Sequence, residues 1–182
     1  MSRLLQIGSA LAMLGVSVAA AAPAPGASLP TVVLEDLREH KRTLVPSVVP
    51  LPLVIVLEDD TSAKHKQAAH AVVGRYSDNK DNHAVFELLA IADMDHWNWW
   101  PARKHALAAM RKIISGEGSG VWIDWTGTLR KAMGLHKAES SFLVVGTDGR
   151  IRYFAQGELD RPAMKALDDA IAALGAKPVP GR

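Results

Sequence analysis

Residues 51–66 read LPLVIVLEDDTSAKHK, an apolar run that stops at three acids and passes straight into a helical pattern. Residues 53–57 are continuous hydrophobics with β-branched members, the pattern of a strand buried on both faces of a sheet. Thr61 and Ser62 come next, where a helix N-cap belongs. From residue 63 to residue 77, Ala68, Val72 and Tyr76, flanked by Ala69 and Val73, form one apolar stripe at helical spacing. The stretch therefore predicts a central strand, a sharp turn and a helix.

Outward from this unit the chain alternates. Upstream, residues 31–34 and 42–45 are short strand candidates on either side of a charged turn, and the prolines of 48–52 confine that segment to a sheet edge or a lead-in. Downstream, residues 84–92 (AVFELLAIA) read as the second central strand. Pro101 suits the first turn of a helix whose buried face is Ala106, Leu107, Met110, Ile113 and Ile114. Val121–Asp124 is a short strand, and residues 126–133 a short helix ending at Gly134. Ser141–Val145 and residues 150–155 form a hairpin around Thr147-Asp148-Gly149. A last helix opens on Asp160, turns Ala163, Leu167, Ala170, Ile171 and Leu174 inward, and stops at Gly175. The order β-β-β-α-β-α-β-α-β-β-α predicts parallel pairing early and antiparallel strands at the end.

Bulk composition excludes several functions. The 182 residues suit one domain plus a targeting segment, and 48% hydrophobic with 22% charged residues supports a globular core. Twenty-one basic against 19 acidic side chains, net +2, is too balanced for a nucleic-acid-binding face. The absence of cysteine excludes disulfides, thiol redox chemistry and zinc–thiolate sites together. Met1-Ser2-Arg3 is a short cationic start, residues 4–18 are apolar, and Val18-Ala19-Ala20-Ala21-Ala22 offers a processing site, with cleavage after Ala20 or Ala21 favoured over an uncleaved anchor. Residues 1–21 are thus expected to be a signal peptide, 22–30 (APAPGASLP) a flexible linker, 31–176 the domain and 177–182 a disordered tail. The mature protein is expected in the periplasm, without a membrane anchor, since no second apolar stretch matches the first.

The predicted order is that of an α/β, thioredoxin-like three-layer sandwich, with a mixed sheet and a short N-terminal β extension of the peroxiredoxin kind. Such folds carry a dithiol where a central strand turns into a helix, because the helix N-terminus favours a thiolate. Here Ser62 and His65, in Ser62-Ala63-Lys64-His65, stand in those two places. Thr61-Ser62-Ala63-Lys64, Val121-Trp122-Ile123-Asp124, Glu139-Ser140-Ser141 and Asp148-Gly149-Arg150 together resemble the YtfJ family of exported bacterial proteins. The resemblance spans residues 54–174 and implies a periplasmic, single-domain, thioredoxin-like protein with no established catalytic activity; no cofactor is expected. Some family members are labelled as transcriptional regulators, a role that export argues against. Glu139 takes the position where working thioredoxins usually present a cis-proline to the dithiol.

Three segments are candidate sites. Thr61, Ser62, Lys64 and His65, with Glu139, form the expected ligand-binding end. A helix N-terminus with cations nearby suits a small anion, although capping alone accounts for Thr61 or Ser62, and Ser62 with Lys64 or His65 is the enzymatic alternative. Asp93, Asp95 and His96 follow a central strand, where ligands collect in open sheets, and carry the donor types of a divalent-metal site. Trp97, Trp99 and Trp100 crowd three indoles into a polar loop, as loop packing or as a surface for a periplasmic partner. All three segments are expected to meet at one end of the sheet. The overall expectation is a non-redox binding module, with no nucleic acid among its partners.

Overall fold

A computed structural model describes residues 22–62, 67–114 and 120–178. Its elements follow the predicted order: β1 (Val32–Asp36), β2 (Lys41–Leu44), β3 (Leu53–Asp59), α1 (Gln67–Ser77), β4 (Glu87–Asp93), α2 (Ala102–Ile113), β5 (Val121–Asp124), α3 (Thr128–Met133), β6 (Ser141–Val145), β7 (Ile151–Gln156) and α4 (Arg161–Ala172). The strands form one seven-stranded mixed sheet in the order β2-β1-β5-β4-β3-β6-β7. β3 runs parallel to β4 and β4 to β5, whereas β6 is antiparallel to β3 and closes a hairpin with β7.

Alternation along the strands divides the core between two faces. Leu53, Ile55 and Leu57 of β3 join Leu89, Ile91, Leu143 and Val145 on one face, under Leu129 and Met133 of α3. Val54 and Val56 join Phe142 and Val144 on the other, under Val72 and Tyr76 of α1 and Leu167 and Ile171 of α4. On that second face α2 lays Ala106 and Leu107 over Ile123 and Trp125. β3 and β6 are thus hydrophobic at successive positions because both of their faces are covered.

Local chemistry sets the boundaries. Asp160 caps α4 by accepting a hydrogen bond from the Ala163 N–H at 2.8 Å. Asp124, fully buried, accepts from the N–H groups of Thr126 (3.1 Å) and Leu129 (2.9 Å) and so starts α3. Gly149 closes the β6–β7 turn at φ +71°, and a Cβ there would lie 2.2 Å from the Pro46 carbonyl oxygen. Only glycine fits both the dihedral and the approach.

Four expectations are corrected. The strand predicted from residue 84 starts at Glu87, because Lys80–Ala84 is a 3-10 turn capped by the Asn79 side chain. Ile113, assigned to the buried stripe of its helix, is 76% exposed: it is the last residue of α2, beyond the reach of the Ile123–Trp125 cluster. The segment 22–30, read as a flexible linker, is docked over part of its length. Gly26 N–H donates to Ile151 O and Leu29 N–H to Gly149 O, at 2.7 and 2.9 Å, and Leu29 is buried in the core. Its backbone bonds go to the first residue of β7 and to the turn before it, which composition alone does not reveal. Lys177, expected to open the tail, exchanges hydrogen bonds with the Asn82 side chain at 2.9 Å in both directions. The expected signal peptide, and the last residues of the tail from 179, lie outside the described residues.

Candidate functional site

The C-terminal ends of β3 and β4, the start of α3 and the segment before β6 meet at one end of the sheet. Asp59 ends β3, and its carboxylate organises the turn. Oδ1 accepts from the N–H groups of Thr61 (2.9 Å) and Ser62 (2.6 Å), and Oδ2 from the N–H of Ala138 (2.8 Å). Burial raises the Asp59 carboxyl, but these donors outweigh it and hold it below the usual carboxylate range. The Ala138 bond ties the segment carrying Glu139 to the turn.

Ser62 is fully buried. Its hydroxyl accepts from the Asp59 N–H at 2.8 Å and donates to the Asp59 carbonyl at 3.1 Å. Both roles of the oxygen are thus spent on its own turn. Thr61 is exposed, as is Glu139, which lines a cleft shared with Glu58, Asp93, Arg130 and His136. The free space there is only about 10 Å³, room for about one water molecule. Lys64 and His65, placed in the same site by sequence, lie outside the described residues.

Asp93, 2% exposed, ends β4 and receives Arg130 Nε at 2.5 Å and the Asp95 N–H at 3.1 Å. Asp95 receives Arg130 Nη2 at 2.6 Å and has the ammonium groups of Lys131 and Lys137 each at 3.2 Å. The two carboxylates respond oppositely. Burial pushes Asp93 up in spite of its Arg130 partner. Asp95 is also raised by burial, but Lys137, Lys131 and Arg130 overcome this and bring it down to about 2. One guanidinium against near-complete burial, and three cations against partial burial, account for the difference. Gly127, at φ +62°, leaves room for the cluster: a Cβ there would be 2.9 Å from Asp95 Cβ and 3.1 Å from Asp93 Oδ1.

His96 Nε2 is 3.1 Å from Asp60 Oδ2, which joins the β4 loop to the β3 turn, and its Nδ1 is 3.6 Å from Asp95 Oδ1. Asp93, Asp95 and His96 are therefore brought near one another, but the carboxylates converge on Arg130. Among the described residues no group of three histidine, aspartate or glutamate side chains is placed to hold a metal ion. The guanidinium occupies the position a cation would take.

The indoles divide by environment. Trp99 and Trp100 are 60% and 76% exposed, and Trp97 is 36% exposed, tilted against the His96 ring at 5.4 Å. The Lys104 ammonium lies 5.7 Å from the Trp100 ring centre. Trp125, by contrast, is buried, donates from Nε1 to Glu35 at 3.1 Å, and carries the Arg103 guanidinium over its face at 4.6 Å. Arg103 also binds the buried Glu35 carboxylate at 2.6 Å, so it is anchored inward.

Sequence reasoning missed Arg130, Lys131 and Lys137. The available signal was the pair Asp93 and Asp95 without a cation close in sequence, since two acids at a buried strand end need a basic partner from elsewhere. A larger groove of about 570 Å³ lies between α1 and the sheet, over Leu88, Ala90 and Val121. It opens at the other end of β4, and its acid, Glu87, is already paired with Arg42. The sheet end with the indole loop is therefore the better candidate, because side chains of several elements converge there.

No family model matches the chain. No curated protein matches it either. Solved structures do. A putative thiol:disulfide interchange protein DsbE from Chlorobium tepidum shares 11% identity at a TM-score of 0.57, with 84% of this chain and 99% of that chain covered. Peroxidoxin BcpB from Mycobacterium tuberculosis shares 19% at 0.53, covering 84% and 97%. The pneumococcal exposed lipoprotein thioredoxin from Streptococcus pneumoniae shares 10% at 0.54, covering 77% and 99%. These likenesses establish a thioredoxin-like, peroxiredoxin-like α/β fold, built here without cysteine. Among the described residues no helix is long and apolar enough to cross a membrane.

Proposed function

We propose that this chain is an exported, periplasmic, non-redox binding module of YtfJ type, which docks a protein or a small anionic ligand at the carboxyl end of its sheet. The observation that carries this reading is the contrast between the two parts of that end. The polar groups a catalyst would use are consumed internally, Ser62 by Asp59 and both carboxylates by Arg130. The neighbouring Trp99 and Trp100 are left exposed instead, and exposed aromatic clusters mark interaction surfaces. Lys131 and Lys137, both mostly exposed, add positive charge on the Asp95 side. Export is supported by the cationic start, apolar stretch and alanine-rich processing site of residues 1–22.

The enzymatic alternative, with Ser62, Lys64 or His65 as its chemistry, requires the Ser62 hydroxyl to leave both of its Asp59 partners. A native mass spectrum of the protein isolated after export tests the proposal. The expected result is a chain starting near Ala22 that carries the mass of a bound protein or small anion. An unprocessed chain would overturn export, and turnover of an ester or peptide probe that Ser62→Ala abolishes would overturn the binding role.

A further inference from the structure

Five large apolar side chains are exposed among the described residues, and four of them, Trp97, Trp99, Trp100 and Ile113, belong to the single stretch 97–113. The same stretch carries Arg103, Lys104, Arg111 and Lys112 and no acid. Arg103 and Arg111 are tied back to Glu35 and Glu39. Lys104 and Lys112 are exposed, on the face of α2 that also bears His105, Ala108 and Ala109. The opposite face, Ala102, Ala106 and Leu107, is buried and holds the helix in a fixed orientation. The indoles line neither the sheet-end cleft nor the larger groove.

From this juxtaposition we infer that the loop preceding α2 and the exposed face of that helix dock on an anionic phospholipid bilayer surface. The inference rests on the reading of the tryptophan loop as a docking surface and names its partner. Indoles favour the headgroup level, where an apolar ring meets water, and lysines beside them are drawn to anionic lipid. Small residues at 108 and 109 let the helix lie close to a plane. Charge complementarity selects the lipid: among the described residues Lys104 and Lys112 have no acidic partner, and the stretch carries no acid to repel an anionic surface.

The test uses the chain from Ala22, since all three core clusters draw their members from Leu29 to Ala176 and the apolar leader would itself bind lipid. The protein should sediment with vesicles of mixed phosphatidylglycerol and phosphatidylcholine, not with pure phosphatidylcholine, and salt should release it. Each of Lys104→Ala and Lys112→Ala should weaken binding about fivefold. Trp99→Ala with Trp100→Ala should abolish it, and Val33→Ala, at the remaining exposed apolar position, should not matter. Equal binding to both vesicle types, or lysine variants that bind like the parent, would overturn the inference. If no vesicle binding occurs while the tryptophan variants keep the parent unfolding midpoint, the bilayer inference falls and a docking surface for a protein remains. If those variants instead unfold far earlier, the indoles are core and the docking reading itself fails.

Discussion

Replacing Arg130 with methionine removes the guanidinium between Asp93 and Asp95 while keeping an apolar side chain of similar length. Asp95 retains Lys131 and Lys137, but Asp93, 2% exposed, is left with one backbone donor. Removing one partner of a buried ion pair costs about 3–5 kcal/mol, because the other charge stays buried and uncompensated. At about 2–4 °C per kcal/mol for a domain of this size, the melting temperature should fall by roughly 10 °C. The cost should depend on pH. Asp93 already titrates above its unfolded value, and losing Arg130 raises it further. The native state then holds the proton more tightly than the unfolded state, so stability falls as pH rises through the window above the unfolded value of 3.8. The variant should therefore lie closer to the parent at pH 4 than at pH 7, and adding Asp93→Asn should recover much of the loss. Urea titrations at both pH values provide the measurement. A difference below about 1 kcal/mol at pH 7, the worth of an exposed pair, would show that the cluster is solvated and the argument from burial mistaken.

Four other outcomes follow from the geometry. Gly149→Ala, facing the Pro46 carbonyl at positive φ, should cost about 2–4 kcal/mol in denaturant unfolding, since backbone must move. Ser62→Ala should cost about 1–3 kcal/mol by orphaning the Asp59 N–H, with Ser62→Thr retaining part of the bond, as amide hydrogen exchange at Asp59 would report. Trp125→Ala should cost about 3–5 kcal/mol, against at most about 0.5 kcal/mol for Trp100→Ala, a direct comparison of buried and exposed indole. Asp95, lowered to about 2, contributes stability that is complete above the unfolded value of 3.8 and disappears as pH falls toward 2. Asp95→Asn should therefore flatten the acid limb of a stability–pH profile.

How much of this was legible in the sequence depended on whether a feature was local. The runs ending in β3 and forming β6 are apolar at every position because both sheet faces are covered, and that pattern is visible without partners. Asp148-Gly149 and Asp160 also act within a few residues of themselves, so turn and cap were readable. The docking of Gly26 and Leu29 on β7 and the turn before it was not, because a segment of proline, alanine and glycine reads as a linker until a distant hairpin offers it hydrogen bonds. Arg130 reaches Asp93 from 37 positions away, a pairing only the β4–β5 adjacency creates. Ser62 was recognised as a turn residue, but the sequence does not show that its hydroxyl points back into β3.

Site-specific photocrosslinking in cells exporting the protein tests the central claim most directly. A photoreactive residue at position 100, beside the exposed Trp99, is compared with one at Val33, which is 54% exposed and lies on β1. The account predicts a discrete adduct from position 100, to lipid or to one protein, and only background from position 33. Equal labelling at the two positions, or labelling confined to position 33, would contradict it.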